Sequence, residues 1–479
     1  MNKLILRATA TALSVLALGQ SVNAQNAAET AVAAAQEYSG TTLTILYEAG
    51  LQPLDVKNFS GPLWEELTGI KVNIVESPVE QLFTKTMQAH LAGTGSYDVL
   101  NVIPNQLPDL AFSGALEPLD AYVDKYGYRE ELQSIAPVFR DNWMTVEGQI
   151  YGLPDDGDAL ILYYRKDVFE DPDNMAEFKA KYGYDLAPPT TWQQFSEIGQ
   201  FITDKFGPEM YGAGMLRQPG NAQYMFQERF RTEGGTFFDP DSMDATINSD
   251  VGVQIFKDLL EENKFMPVGV EQWGFIEAFN GFLAGDIAMT ISWPPVGRWA
   301  AGYGKGTEAL SWIPETTVVD KVGYALPPGG HPELAVGFSL AVSADSENKE
   351  AAYLFMQWLN SDEISLQRVQ LPYTLRDPFR ASHYASEEYR GRWADAGDYL
   401  DTLEKAGEVG LLDLSLIQTD RYEEALRQAI SRLWTGEDPQ AILDDTAAQW
   451  DQLTDRIGRD KQKRAYLDWA GKPNAYPAD

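Results

Sequence analysis

The sequence pattern of residues 42–103 indicates alternating strands and helices, and this alternation constrains the fold of the chain more than any other feature. Apolar residues recur at every second position in the first strand and at helical spacing in the helix that ends near Leu91. Gly69 is placed to end an earlier helix, the one predicted over residues 54–68. The pattern predicts strands over 42–48, 71–76 and 97–103 and helices over 54–68 and 79–91. Such an order is typical of a parallel sheet with helices on its faces, so we expect an α/β fold.

A second stretch, residues 279–293, has the pattern of a helix end, a turn and a buried strand. Apolar residues recur at helical spacing up to Leu283, and Gly285 is placed to end the helix in the left-handed conformation. Residues 287–291 form a short, mostly apolar run, as in a strand covered on both faces. Trp293 follows at the carboxyl end, where open α/β sheets bind ligands. Trp293 is therefore either a platform for a ligand or a packed core residue.

The sequence lacks the motifs that most enzymes of this size carry. It has no cysteine, which excludes disulfides, thiol nucleophiles and thiolate metal sites. Its three histidines, His90, His331 and His383, do not have the spacing of metal ligands. No nucleophile elbow, P-loop or dinucleotide-binding glycine motif is present. Carboxylates are plentiful, so a glycoside hydrolase that uses two of them stays open as an alternative.

The net charge of the chain is strongly negative. Its 71 acidic residues exceed its 37 basic residues, which leaves a formal charge of −34. Such a balance argues against binding to nucleic acid or to anionic membranes, and it disfavours a highly anionic ligand. The 12 tryptophans and 23 tyrosines provide flat aromatic faces, either for a large core or for sugar rings.

Residues 1–24 have the pattern of a secretory signal peptide. Basic residues precede an apolar core over 8–18 that is too short to span a membrane, and small residues end at Ala24 as in a cleavage site. Residues 25–39, rich in alanine, are expected to form a flexible lead-in. We expect an exported, soluble periplasmic protein without a lipid anchor, because there is no cysteine to carry one.

An acidic cluster, Asp155-Asp156-Gly157-Asp158, lies between a hairpin-like element at 148–154 and a strand predicted over 159–165. Asp156 and Asp158 are candidates for ligand binding, and a solvated turn is the alternative. The cluster lacks the spaced ligands and the closing glutamate of a calcium loop, so neither a metal site nor a cofactor is predicted.

Residues 279–293 also resemble the F-x-x-G-x-A-A-M…W signature of extracellular solute-binding proteins of family 1, the sugar-type receptors of ABC importers. Further segments match the same family in the same order. They are residues 63–72, 95–99, 151–154, 162–167, 189–192, 234–239 and 349–359. On this ordered series, which spans roughly residues 40–460, the chain is identified as a member of that family.

The resemblance implies a two-lobed periplasmic-binding-protein fold of type II. Each lobe is expected to have a mainly parallel central sheet, with three hinge crossings between the lobes and a helical C-terminus. The expected N-lobe comprises residues 40–158 and 331–370, and the expected C-lobe comprises residues 159–330 and 371–479.

The resemblance also implies a ligand site in the cleft between the lobes. Trp293 matches the position that stacks on the ligand, and Arg376, near the third crossing, is a candidate donor whose alternative role is a salt bridge. Carboxylates suit a polyhydroxylated ligand because they accept hydroxyl protons strongly. The full set of predicted ligand-binding residues is Trp293, Trp273, Tyr224, Asp156, Asp158, Glu48, Asn105, Gln106 and Arg376.

The function that this family implies is periplasmic binding of a sugar, oligosaccharide or polyol for ABC import, without catalysis. The expected partners are that ligand and an inner-membrane permease, and the expected state is a monomer. Two alternatives remain open, namely a secreted carbohydrate-active enzyme and a receptor of the same fold for a cationic or peptide solute.

Overall fold

The structure, a computed structural model, describes residues 26–477, so the predicted signal peptide lies outside the described residues. The strands are β1 (Thr42–Glu48), β2 (Lys71–Ser77), β3 (Val99–Val102), β4 (Thr145–Val146), β5 (Gln149–Ile150), β6 (Gly152–Asp156), β7 (Ile161–Arg165), β8 (Met289–Ser292), β9 (Val322–Ala325) and β10 (Phe338–Val342). The α-helices are α1 (Ala27–Ala35), α2 (Gly61–Thr68), α3 (Val79–Leu91), α4 (Leu107–Phe112), α5 (Asp120–Lys125), α6 (Pro137–Trp143), α7 (Lys166–Phe169), α8 (Pro172–Tyr182), α9 (Trp192–Phe206), α10 (Pro219–Thr232), α11 (Asp250–Glu262), α12 (Phe275–Ala284), α13 (Pro295–Ala300), α14 (Lys349–Asn360), α15 (Asp362–Val369), α16 (Ala381–Ala385), α17 (Glu387–Arg390), α18 (Ala396–Val409), α19 (Thr419–Trp434), α20 (Pro439–Ile457) and α21 (Arg459–Ala470). Within this range, no helix combines the length and the apolar character that crossing a membrane requires.

The strands of the predicted alternation form most of the first sheet. β1 is parallel to both β2 and β3, and Leu46 in β1 lies opposite Val75 and Leu100. The sheet order is β2-β1-β3-β10-β6, and β10 is antiparallel to β3 and to β6. The parallel pairing of the first three strands is confirmed. Their carboxyl ends lie along one edge of the sheet, which is the edge expected to bind ligands.

The second sheet has three strands in the order β8-β7-β9, and both pairings are antiparallel. The prediction of a mainly parallel sheet in each lobe is therefore wrong for this sheet. All four residues of β8 are buried, as its apolar sequence indicated. Burial on both faces needs only that both faces are covered by other elements, and antiparallel strands satisfy this condition as well as parallel ones.

The predicted flexible lead-in is wrong for the part of residues 25–39 that the structure describes. α1 covers Ala27–Ala35, and Asn26 caps it by accepting a hydrogen bond from the amide of Glu29. α1 packs against α14, where Gln357 Nε2 donates to the carbonyl of Ala27 at 3.1 Å. Alanine is the strongest helix former, and its small side chain lets two helices approach closely. The alanine-rich composition that suggested disorder thus forms an ordered helix.

The stretch that ends at Trp293 folds as predicted. α12 ends at Gly285, whose φ of 84° places it in the left-handed region that glycine adopts without steric cost. β8 then runs to Ser292, which pairs with Ile161 of β7. Trp293 follows at the carboxyl end of the strand and begins the turn into α13.

Two connections between the sheets run side by side, from β6 to β7 and from β9 to β10. Gly337 N, in the second connection, donates to Asp158 Oδ2, in the first, at 3.1 Å. The neighbouring Val336 has a φ of 68°, which is strained for a β-branched residue. The segment after Leu371 approaches the first connection, where Asp377 N donates to Asp156 Oδ1 at 2.7 Å. The boundaries predicted for the two lobes stay a prediction.

The C-terminal helices α19, α20 and α21 form a second apolar core with α10 and α11. Trp450 is at the centre of this core, where its ring stacks on Phe238 with centroids 5.3 Å apart. Its Nε1 donates to the carbonyl of Tyr422 at 3.1 Å. This packing places one side of α19 opposite the carboxyl edge of the first sheet, and it completes the wall of the cavity described below.

Candidate functional site

A cavity of about 260 Å³ lies between the carboxyl edge of the first sheet and residues of α10, α12, α19 and the turn after β8. Six of the nine predicted ligand-binding residues line it. They are Glu48, Gln106, Asp156, Asp158, Tyr224 and Trp293. The structure thus brings together side chains from distant parts of the chain. Their role in binding stays a prediction.

Trp293 forms an aromatic wall of this cavity and is half-buried. Its Nε1 donates to the carbonyl of Ala335 at 3.0 Å, so the orientation of the indole is set by the chain that leads into β10. Tyr224 and Phe275 meet the indole edge to face, with centroids 6.3 and 6.0 Å away. A ring held in this way presents an apolar surface to a ligand without a further loss of side-chain freedom.

Carboxylates from the ends of β1 and β6 form a second wall of the cavity. Asp156 is fully buried, and its oxygens accept hydrogen bonds from Gln52 Nε2 at 3.0 Å and from the amide of Asp377. Burial raises the pKa of Asp156 to about 6. Burial and the nearby charge of Asp156 raise the pKa of Glu48 to about 7. These carboxyl groups can accept hydrogen bonds from ligand hydroxyls, and their own charge can change near neutral pH.

A third carboxylate, that of Asp377, completes a cluster with Asp156 and Asp158. Oxygen atoms of the three side chains lie within 4.8 Å of one another, and all three residues are buried. Burial and the charge of Asp156 raise the pKa of Asp158 well above its usual value. Three converging carboxylate oxygens are a set that a cation could bind. The expectation of no metal site stays a prediction.

Arg376, the predicted donor, does not line the cavity. It is fully buried behind the carboxylate wall, where its Nη2 lies 3.0 Å from Asp155 and donates to the carbonyl of Gln52 at 2.9 Å. Arg368 pairs with the same Asp155 carboxylate at 2.8 Å. The structure thus favours the salt-bridge alternative for Arg376, with Asp155 as its partner. Asp377 pairs instead with Arg298, at 3.2 Å.

Asn105 and Trp273 also lie outside the cavity lining. Asn105 is buried next to it, and its Nδ2 donates to Glu423 Oε1 at 2.7 Å. Trp273 lies against the backbone beside α12, where a Cβ atom at Gly214 would be only 2.6 Å from its ring. The two glycines that the indole covers, Gly214 and Gly281, indicate a packing role for Trp273.

Several cavity residues were not identified from the sequence. Gln52, Glu80 and Phe83 come from the loop after β1 and from α3, and Glu423 and Arg427 come from α19. The two α19 residues are spaced i, i+4, so they share one helix face. That spacing gives no sign of which face meets the cleft. Only the packing of α19 against α10 shows it.

The fold and the cavity define a two-lobed solute-binding protein of type II, and comparison with known proteins identifies its family. The model of the bacterial extracellular solute-binding protein family matches residues 41–365, so this chain belongs to that family. The family assignment and the fold class predicted from the sequence are thereby confirmed.

Two curated relatives and one solved structure illustrate the similarity. A probable amino-acid ABC transporter periplasmic-binding protein of Sinorhizobium fredii is 26% identical over 72% of this chain and 75% of its own length. An erythritol/L-threitol-binding protein of Mycolicibacterium smegmatis is 24% identical over 82% of each chain. An ABC transporter solute-binding protein of Agrobacterium radiobacter in complex with ribitol superposes with a TM-score of 0.72. It is 22% identical, and the match covers 87% of this chain and 99% of that one.

Proposed function

We propose that this protein is a periplasmic receptor that binds a small sugar or polyol between its lobes and delivers it to the permease of an ABC importer. One observation carries the proposal. The ring of Trp293 and the carboxylates of Glu48, Asp156 and Asp158 line one cavity at the carboxyl edge of the first sheet. An apolar face and hydroxyl acceptors in one cavity match the C–H surface and the hydroxyl groups of a polyhydroxylated molecule.

The size of the cavity favours a single sugar or an open-chain polyol over a long oligosaccharide. Its volume of about 260 Å³ lies just below the range of roughly 300–1,000 Å³ that is usual for small-molecule sites. The names of relatives support the same class, because one is described as binding erythritol and L-threitol and another as binding mannitol.

Transport requires no chemical step, only a change in population between open and closed lobes. A ligand that contacts both lobes stabilises the closed state by its differential affinity for that state. Residues that line both sides of the cavity, such as Asp156 at the end of β6 and Glu423 on α19, provide these contacts. The receptor acts as a soluble monomer, released into the periplasm after cleavage of residues 1–24, and the permease recognises its closed form.

A thermal-shift screen of the chain from Gln25 onward tests the proposal, with erythritol, ribitol, mannitol, glucose and maltose as ligands. A ligand at 100 times its Kd should add about 2.7 kcal/mol to the free energy of unfolding. Trp293→Ala should abolish the shift. Trp312→Ala, which removes a tryptophan 40% exposed and outside the cavity lining, should retain it.

The same samples test whether the protein is an enzyme. Chromatography of the ligand after prolonged incubation should return it unchanged, whereas shortened products would establish a hydrolase. If no carbohydrate changed the unfolding temperature and a peptide clearly raised it, the sugar or polyol assignment would be overturned. The solute-binding fold would not be affected.

A further inference from the structure

Negative charge dominates the lining of the ligand cavity. Arg427 is the one basic residue among the described residues that line it. The acidic residues of the lining are Glu48, Glu80, Asp156, Asp158, Asp420 and Glu423. A neutral ligand would leave this excess uncompensated, and burying an unpaired charge is costly.

Arg427 does not neutralise the carboxylate wall, because its own partners lie on α19 and α10. Its guanidinium is 3.0 Å from Glu424 and 3.7 Å from Glu423, and it donates to Gln223 Oε1 at 3.2 Å. Over residues 26–477, no ion pair reaches Glu48, Asp156 or Asp158.

The arginines behind this wall are bound to other carboxylates. Arg376 and Arg368 share Asp155, and Arg298 pairs with Asp377. Both oxygens of Asp377 are buried without receiving a hydrogen bond from the described residues, and they lie within 4.8 Å of oxygens of Asp156 and Asp158. Glu48, Asp156 and Asp158 thus line the cavity without a cationic partner among the described residues.

The ionisation of Glu48 reflects the same excess. Burial is the main cause of its raised pKa of about 7, and the facing carboxylates of Asp156 and Glu80 raise it further, while the more distant Arg376 lowers it. A cation in the cavity would oppose this effect and favour the ionised form. Its affinity should therefore increase as the pH rises through about 7.

We propose that the ligand is a polyhydroxylated molecule that carries a protonated amine, with the ammonium group held by Glu48, Asp156 and Asp158. An ammonium has three N–H donors and no acceptor, so it matches a wall of acceptors better than a hydroxyl does. Trp293 and Phe275, which also line the cavity, provide apolar surface against which the C–H groups of the same molecule can pack. The inference rests on the proposed function and narrows its ligand class.

Isothermal titration with two matched compounds tests the charge directly. D-glucamine and D-glucitol differ only in an ammonium in place of one hydroxyl. At about pH 8, D-glucamine should bind at least about tenfold more tightly, which corresponds to about 1.4 kcal/mol. At about pH 5.5 this preference should shrink, because Glu48 and Asp156 are then largely protonated. Equal affinity for the two compounds, including no detectable binding of either, overturns the proposal.

A conservative variant separates charge recognition from general damage. Glu48→Gln keeps the size of a side chain that is only partly buried, and it should reduce the ratio between the affinities for D-glucamine and D-glucitol. Glu66→Gln, at an exposed position on α2, should keep the preference of the wild type. An unchanged preference in Glu48→Gln contradicts the assignment of the ammonium to this wall.

Further ligands distinguish this proposal from its competitors. Binding of ribitol or mannitol with no gain from an amine overturns the charged ligand and leaves the proposed function intact. Binding of 1,4-diaminobutane, together with no detectable binding of any polyhydroxylated compound, overturns the proposed function as well. Stabilisation by calcium chloride alone that is lost in Asp377→Asn would show that the carboxylates bind a metal ion instead of an amine.

Discussion

Asn105 Nδ2 donates a hydrogen bond to Glu423 Oε1 at 2.7 Å, although the two residues are 318 positions apart. Asn105 follows β3 of the first sheet, and Glu423 lies on α19 in the helical C-terminal region. Ser415 Oγ reinforces the contact by donating to the carbonyl of Asn105 at 2.8 Å. This contact bridges the two sides of the cleft, directly beside the cavity.

We expect Asn105→Ala to favour the open form of the protein. The substitution removes a hydrogen bond to a carboxylate, which contributes about 1.5–3 kcal/mol. Because the contact bridges the two sides of the cleft, its removal destabilises the closed state relative to the open state. The Kd for the ligand should therefore rise about tenfold. Titration calorimetry measures the affinity, and small-angle scattering should show a larger radius of gyration. Asn142→Ala, on α6, is the control. Wild-type affinity in Asn105→Ala would contradict a closing role for Asn105.

Glu423 should make the stability of the protein depend on pH. Burial raises its pKa to about 7, above its value of about 4.3 in the unfolded chain. The stabilising contribution of the protonated form is therefore complete below about pH 4 and is lost as the pH rises through 7. Glu423→Gln retains an acceptor for Asn105 and cannot ionise. Its free energy of unfolding should fall less steeply between about pH 5 and pH 8 than that of the wild type, by at most about 1.4 kcal/mol per pH unit.

The neighbouring Glu424 provides the control for this pH dependence. Hydrogen bonds from Gln428 and Arg427 lower its pKa, and its side chain is largely exposed. Urea titrations of Glu424→Gln should therefore show no flattening of the curve over that pH range. If both variants behaved alike, the effect would not come from the burial of Glu423.

Arg376→Met should destabilise the fold rather than act directly on the ligand. The substitution leaves Asp155 and Asp55 with Arg368 as their remaining buried partner. Removing one member of a buried ion network costs about 3–5 kcal/mol, measured by urea denaturation. Lys179→Met breaks an exposed pair with Asp185 and should change stability by less than about 0.5 kcal/mol. Loss of ligand binding in Arg376→Met with stability unchanged would instead restore the predicted role of Arg376 as a ligand donor.

The packing of α1 on α14 leads to a prediction about two alanines. Ala31 is fully buried and Ala33 is exposed on the same short helix. Ala31→Glu places an unpaired charge in the interface and should cost at least about 2 kcal/mol or detach the helix. Ala33→Glu should stay within about 0.5 kcal/mol of the wild type. Urea denaturation and limited proteolysis near residue 36 measure both effects, and equal behaviour of the two variants would contradict the packing.

Structural elements that depend only on residues close together in the sequence were predictable. The end of α12 at Gly285 is one example, because a single residue determines whether the chain can adopt the left-handed conformation there. The parallel strands β1, β2 and β3 are another, because the helices between them require crossover connections. Trp293 was placed at the edge of a sheet by the same local reasoning, and the structure shows it in the cavity wall.

The members of the candidate site were only partly predictable. Asp156 and Asp158 were identified because the family resemblance places the first crossing between the lobes at this cluster, but nothing near them in the sequence indicated Asp377 as their neighbour. Arg376 was expected to face a ligand, because the sequence did not show that Asp155 and Asp55 would surround it. An ionic side chain binds whichever partners the fold brings close, and those partners came from other elements.

The sequence by itself determined the α/β alternation of residues 42–103, the helix–turn–strand unit that ends at Trp293, and the resemblance to solute-binding proteins. Periodicity and glycine placement act within a single turn or strand, so they can be seen in the order of residues. Tertiary structure decided that the second sheet is antiparallel, that α1 packs on α14, and that Asp377 contacts Asp156 across 221 positions. These features depend on which surfaces meet when the chain collapses, because burial and electrostatics act between residues that are close in space and distant in sequence.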